Sequence, residues 1–419
     1  MAQSSSAASQ GPPPLPPGCK GLDDVDIIIP SPGVSAVSRQ LLEGCARRSF
    51  THVSQVTQLI EQGANPRAIG ALLVRGATGP PYWRWRYSCL SFAIDSPINY
   101  PFLRARGADN SQVPVVPPQW SSLQLQRDIL SALIDGGADI NGGGCELMGV
   151  DRPIRVAVGA GNMTAVEVLL ARQADVRGIW GPVMELPCVG GAAPPPTREY
   201  EAALMSIYRR LIQHDSTLAA ERSAAGDSLL HLAATAPSTF SQQFIDQYLT
   251  LITSHGADMT ARDTIGYTPL HLAAKAGSAI LAEWLCRRIT ADDINRGRPP
   301  QPHRTPLAVA AEMLRIVIQQ QQQQQHGQGE ALGEWHSRRI RQHKTTIRVL
   351  LRSGAAPSIA RIPTATERDG RHRHLVLAEY AIVLSELSEV VMSAINAALA
   401  PQRDHSRLLA RLLPLAPHH

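Results

Sequence analysis

The tetrad Gly226-Asp227-Ser228-Leu229 comes nearest, of all the stretches in this chain, to covalent chemistry. A serine behind Gly-Asp is a candidate acyl-transfer nucleophile, and "DGRH" at 369–372 offers an Asp and a His for a proton relay. Such a nucleophile needs a sharp strand-to-helix turn that exposes its Oγ. The residues before Gly226 read "STLAAERSAA", which supply no apolar run for a buried strand. A second candidate is "IRVAVGAGNMTAVEVLL" at 154–170, which imitates the strand, Gly-x-Gly and helix that cradle a dinucleotide. Thr164 stands where the third Gly belongs, and no parallel-sheet pattern flanks the stretch. His326, His336 and His343 surround the glutamine run Gln319 to Gln325 at spacings that do not share one helix face. The pairs Asp23/Asp24 and Asp292/Asp293 are adjacent, so their side chains diverge into solvent. No metal site, cofactor or catalytic residue is expected from these patterns.

The elements that hold these residues explain why. "SLLHLAA" at 228–234 and "TPLHLAA" at 268–274 share "LHLAA", which aligns Ser228 with Thr268. Thr268 is a good helix N-cap, and Pro269 then falls at the first helical position, where its missing N–H costs nothing. Leu270, Ala273 and Ala274 form one apolar face at helical spacing, with alanines small enough for a neighbouring helix to approach. Ser228 is therefore read as a cap. The GDSL hydrolases, the alternative, would also require intermediate Gly and Gly-x-Asn-Asp blocks that are missing after Ser228.

The opening phrase recurs in looser form as "CLSFAI" (89–94), "RPIRVAV" (152–158) and "TPLAVAA" (305–311). A turn phrase recurs behind it: "LIEQGANPRA" (59–68), "LIDGGADING" (133–142), "LLARQADVRG" (169–178), "LITSHGADMT" (251–260) and "LLRSGAAPSI" (350–359). Its Gly suits the left-handed residue that ends a helix. Helices of two to three turns are marginal alone, and stacking similar pairs stabilises them.

This phrase resembles the ankyrin-repeat motif, T-P-L-H-x-A at a period near 33, and residues 264–277 match it almost letter for letter. The resemblance implies an all-α fold, an ankyrin-repeat solenoid of helix–loop–helix units with finger loops and roughly seven to eight degenerate repeats. Residues 1–34 read as a Pro/Ser-rich disordered tail, 35–399 as the array and 400–419 as a C-terminal tail. Long insertions fall near 97–120 and 316–337, although a shortened repeat ending at Gly107 is an alternative for the first. "GAGN" at 159–162 becomes the turn between two helices of one unit.

Composition bounds the function classes. The chain has 419 residues, 44% of them hydrophobic and 5% aromatic, and Ala and Leu dominate, which favours helices. Its net charge is +5, yet residues 286–373 carry 16 Lys and Arg against 7 Asp and Glu. That basic segment has no aromatic interleaving, so nucleic-acid binding is the lesser alternative to an acidic protein partner. The six cysteines form no CxxC pair, which fits a reduced cytoplasmic or nuclear setting. The N-terminus has neither the basic start nor the apolar core of a signal peptide, and no apolar run is long enough to span a membrane.

The resemblance implies a non-enzymatic binding module or adaptor whose partner meets finger residues and the exposed ends of the inner helices. In register these are Ile265, Tyr267 and Lys275 in the clearest unit, Asp227 and Thr235 before it, and Arg304 and Glu312 after it. Tyr267 is expected as an exposed aromatic anchor, with packing against its own finger as the alternative.

Overall fold

The structure, a computed structural model, describes residues 15–29, 33–77, 85–108, 110–142, 150–177, 181–187, 194–236, 239–324, 330–367, 370–386 and 400. Two compact units divide the chain, residues 1–258 and 259–419.

The first unit contains helix pairs of the expected kind: α1 (Ala36–Arg47) with α2 (Val53–Glu61), and α3 (Cys89–Phe92) with α4 (Leu123–Asp135). They are followed by α5 (Pro153–Gly159) with α6 (Met163–Ala171), a longer α7 (Arg198–His214), and α8 (Leu229–Thr235) with α9 (Gln242–Ser254). Small polar residues start them. Ser35, Ser122, Asn162, Thr197 and Ser241 each accept a backbone N–H from the first turn of the helix they cap.

The recurrent Gly-Ala turn ends the second helix of a pair. Gly63, Gly137 and Gly256 have φ of +91°, +95° and +99°, and the following alanine N–H returns to a carbonyl of the last helical turn. Gln173 takes the same place with φ +62° and the same pair of bonds. This left-handed closure satisfies the helix's terminal carbonyls, which is why the phrase is legible in the sequence.

The all-α expectation fails in the first unit. Among the described residues, seven strands form one mixed sheet: β1 (Lys20–Gly21), β2 (Val25–Ile28), β3 (Ile69–Val74), β4 (Arg86–Ser88), β5 (Leu103–Arg106), β6 (Gln112–Val116) and β7 (Val150–Asp151). Their order is β1-β6-β5-β3-β4-β7, with β2 paired antiparallel to β3 over Ala71–Val74. β5 and β6 are an antiparallel hairpin, in which the Gly107 N–H bonds Ser111 O at 2.8 Å. Gly107 and Ala108 follow β5 into this hairpin, so the stretch near 97–120 carries two strands. The strands are short and their partners remote, as with Lys20 beside Val115, so no long β-rich run announces them. Gly70 allows the sheet to lie close on the helices: a Cβ there would come within 2.9 Å of Leu42 and 3.0 Å of Phe92.

The second unit opens with α10 (Pro269–Ala276), α11 (Ala279–Cys286) and a short α12 (Ala291–Ile294). Two long helices follow, α13 (Pro306–Gln324) and α14 (Glu330–Leu350), which pack together and against α10 and α11. Residues 370–386 are also helical (α15). The glutamines Gln319 to Gln324 belong to α13, and Gln321 Nε2 donates to Ser337 Oγ on α14 at 3.3 Å. Glutamine is a good helix former, so an insertion at this point lengthens a helical hairpin. Among the described cysteines, Cys19, Cys45, Cys89 and Cys286 are free and buried.

Candidate functional site

Three finger turns carry the residues singled out above, one in the first unit and two in the second. In each, a backbone N–H at the base bonds the carbonyl of the residue before the cap: Ser223 to Asp227 O (2.8 Å), Asp263 to Tyr267 O (2.9 Å) and Arg298 to Arg304 O (3.2 Å). The Asp263 carboxylate organises the clearest of them, accepting the N–H groups of Ile265 (3.0 Å) and Tyr267 (2.8 Å). Gly266 takes φ +86° at the tip and packs against Arg298 and Pro299 of the next finger.

Behind each of the first two fingers lies a buried histidine. His271 Nδ1 lies 3.2 Å from the Thr268 N–H and 2.8 Å from Thr268 Oγ1. Because Nδ1 accepts from a backbone N–H, the ring proton is on Nε2, which donates to Arg304 O at 3.1 Å. His271 therefore ties its own helix start to the finger that bears Arg304. Ser228 and His231 repeat the arrangement at 3.1 Å (backbone N–H) and 2.8 Å (Oγ), with both residues buried. Ser228 is the N-cap of α8, the place Thr268 holds on α10. Asp369 of the "DGRH" stretch lies outside the described residues, and His372 accepts the Arg315 Nε proton at 2.8 Å.

The Tyr267 side chain departs from the expected exposed anchor. It is only 4% exposed, because the residues expected beside it cover its ring. The Arg298 guanidinium lies 5.0 Å from the ring centroid, Arg304 5.9 Å and Lys275 6.0 Å, and the His271 ring is tilted against it at 5.5 Å. A ring face attracts cations through its quadrupole, so one buried tyrosine gathers three positive groups. Arg304 is ion-paired to Glu312 at 2.6 Å. Among the described residues, Lys275 and Arg298 form no ion pair with a carboxylate. Ile265, on the same finger as Tyr267, is 55% exposed.

Tyr267, Lys275, Arg304 and Glu312 thus come together, with Ile265 on the adjoining finger tip. Asp227 and Thr235 belong to the first unit. Asp227 is half-buried within its own finger, where Ser223 Oγ receives its N–H at 3.1 Å, and Thr235 is exposed at the end of α8. Arg298 was not singled out from the sequence. Its signal was the Pro-Pro at 299–300, which lengthens the finger from Arg298 to Arg304 and leaves the arginine at its base.

The "GAGN" stretch is the turn between α5 and α6, as expected. Asn162 caps α6 and its Nδ2 reaches Asp95 Oδ1 at 3.0 Å and Gln126 Oε1 at 3.0 Å. No group of three His, Cys, Asp or Glu among the described residues is placed to hold a metal ion. No described helix is long and apolar enough to cross a membrane.

Residues 265–296, which begin at the Ile265 finger and run to the end of α12, match the ankyrin repeat family model. The chain thus contains an ankyrin repeat over these residues. Among solved structures, the human ASB11 ankyrin repeat domain is similar to it with a TM-score of 0.36 and 16% sequence identity, over 66% of this chain and 91% of that one. None of the curated proteins compared matches the sequence.

Proposed function

We propose that this protein is a non-enzymatic adaptor that binds an acidic protein segment on the second unit, across the finger at Ile265 and the cations grouped on Tyr267. The observation that carries the reading is the imbalance around that ring: Lys275, Arg298 and Arg304 face it with Glu312 as the counter-charge. Ile265 supplies exposed apolar area next to them. Tyr267 contributes as the platform that holds the cations apart and oriented, rather than as a surface anchor. An interface of this make-up gains on-rate and specificity from charge, and loses affinity as salt rises. Asp227 and Thr235 are the corresponding positions of the first unit.

The test compares affinity capture by the full chain with capture by a Lys275→Glu/Arg298→Glu double variant and by Ile265→Asp, at low and high salt. A partner held by wild type, released by salt and lost by the double variant supports the reading. A partner retained equally by all three proteins refutes this surface and moves attention to other faces. Rim charges of this kind change affinity by roughly tenfold when reversed.

A further inference from the structure

The first unit holds a cleft whose chemistry the ankyrin repeat does not require. It has a volume of about 310 Å³ and lies where the β5–β6 hairpin, β7, the end of α5 and the segment 181–187 converge. Its apolar walls include Phe102, Val156 and Val183, each at most 9% exposed. Three of these four segments are the parts that depart from paired helices, so the cleft is a product of the inserted sheet.

Its polar groups have opposite requirements. The Asp151 carboxylate lies in a desolvating position, and burial raises its pKa while Arg104 and Arg155 oppose that rise. No described residue donates a hydrogen bond to that carboxylate or pairs with it; the Ser91 hydroxyl bonds only the Asp151 backbone carbonyl, at 3.1 Å. Gln112 contributes the complementary deficit. Its Nε2 is buried and has no acceptor among the described residues. Arg155 donates to Glu185 Oε2 at 2.9 Å, which places a second cation on the cleft wall. A half-buried carboxylate without a donor is under-satisfied, and a buried amide nitrogen without an acceptor costs about 1–3 kcal/mol unless something else completes it.

The walls are held rigidly. The Tyr208 hydroxyl donates to Glu185 O at 3.1 Å, and the Tyr248 hydroxyl donates to Met184 O at 2.9 Å. Tyr200 donates to Gly159 O at 2.6 Å and so ties down the end of α5. Three buried tyrosines from α7 and α9 thus fix the two backbone segments that line the cleft. Gly159 leaves the space beside it open, since a Cβ there would meet nothing within 4 Å.

We propose that this cleft binds a small zwitterion of the size of a free α-amino acid. Its ammonium group sits on Asp151, its carboxylate faces Gln112 and the two arginines, and its side chain rests on the apolar walls. The volume lies at the lower end of ligand-site sizes, which suits a molecule of few heavy atoms. Satisfying both ends at once distinguishes such a ligand from a simple amine or a simple anion. The site shares no residue with the finger surface of the second unit, so the two proposals stand or fall separately.

The experiment titrates the full chain with the common free L-amino acids at millimolar concentration, read by thermal shift and then by calorimetry. The best binder is repeated as its N-acetyl and its carboxamide derivatives. At least one amino acid should raise the melting temperature saturably, and either blocked form should bind at least about tenfold more weakly. Asp151→Asn should weaken the free amino acid by a similar factor. Gly159→Leu fills the cleft at a helical position with open space, so it should melt as wild type does and bind nothing. Failure of every free amino acid to bind overturns the proposal. So does equal binding of the blocked forms, or wild-type affinity in Gly159→Leu.

Discussion

Replacing His271 with alanine tests whether the repeat is held together by its capping histidine. The ring is fully buried and links three groups: the Thr268 N–H, the Thr268 hydroxyl and the Arg304 carbonyl. Alanine leaves a backbone donor and a backbone acceptor without that partner, and each such loss costs about 1–3 kcal/mol. The volume left by the ring adds a smaller packing loss. The expected cost is therefore about 3 kcal/mol. Lys275→Ala, on the exposed side of the same helix, should stay within about 0.5 kcal/mol. Native-state hydrogen exchange of the full chain resolves where the loss falls. Protection should drop across α10 and, through the broken Arg304 link, across the finger at 298–304, while helices of the first unit keep theirs. If His271→Ala and Lys275→Ala exchange alike in both segments, the histidine does not couple helix and finger, and the reasoning fails.

Two further outcomes follow from the second unit. His343, fully buried against the ring-close Gly277, has its pKa lowered to about 4, first by burial and then by the Arg339 charge. The unfolded chain then binds a proton more readily than the folded one. Stability is therefore whole above the ordinary histidine pKa of about 6.5 and falls as pH drops toward 4, by up to the order of 3 kcal/mol; denaturant titrations of wild type and His343→Phe should diverge across that window, and parallel curves would refute the assignment. Gln322→Pro should cost about 3 kcal/mol or more, because residue 322 lies inside α13, whereas Gln322→Ala should be nearly neutral; equal melting curves for the two variants would mean the glutamines are not helical.

What the sequence alone determined is the local chemistry of each repeat. The Ser228 and Thr268 caps, Pro269 at the first helical position and the Gly-Ala turns at 63, 137 and 256 all act over four or five residues. Their hydrogen bonds close within one stretch of chain, so residue order suffices to read them. The same locality made Ser228 legible as a cap instead of a nucleophile. Only the tertiary structure decided the rest. The sheet joins strands of two to six residues through partners as distant as Lys20 and Val115, or Arg86 and Val150, and its pairing energy has no local pattern. Tyr267 stands in a finger that looks exposed, yet the longer finger that follows brings Arg298 and Arg304 over its ring. The glutamine run follows an apolar helix and has its own helical propensity, but it is packing of α13 against α14 that lets it continue as helix to Gln324. Asp151, unremarked in the sequence, became a site because strands and helices from four segments meet around it, and a carboxylate's environment is a property of what surrounds it in space.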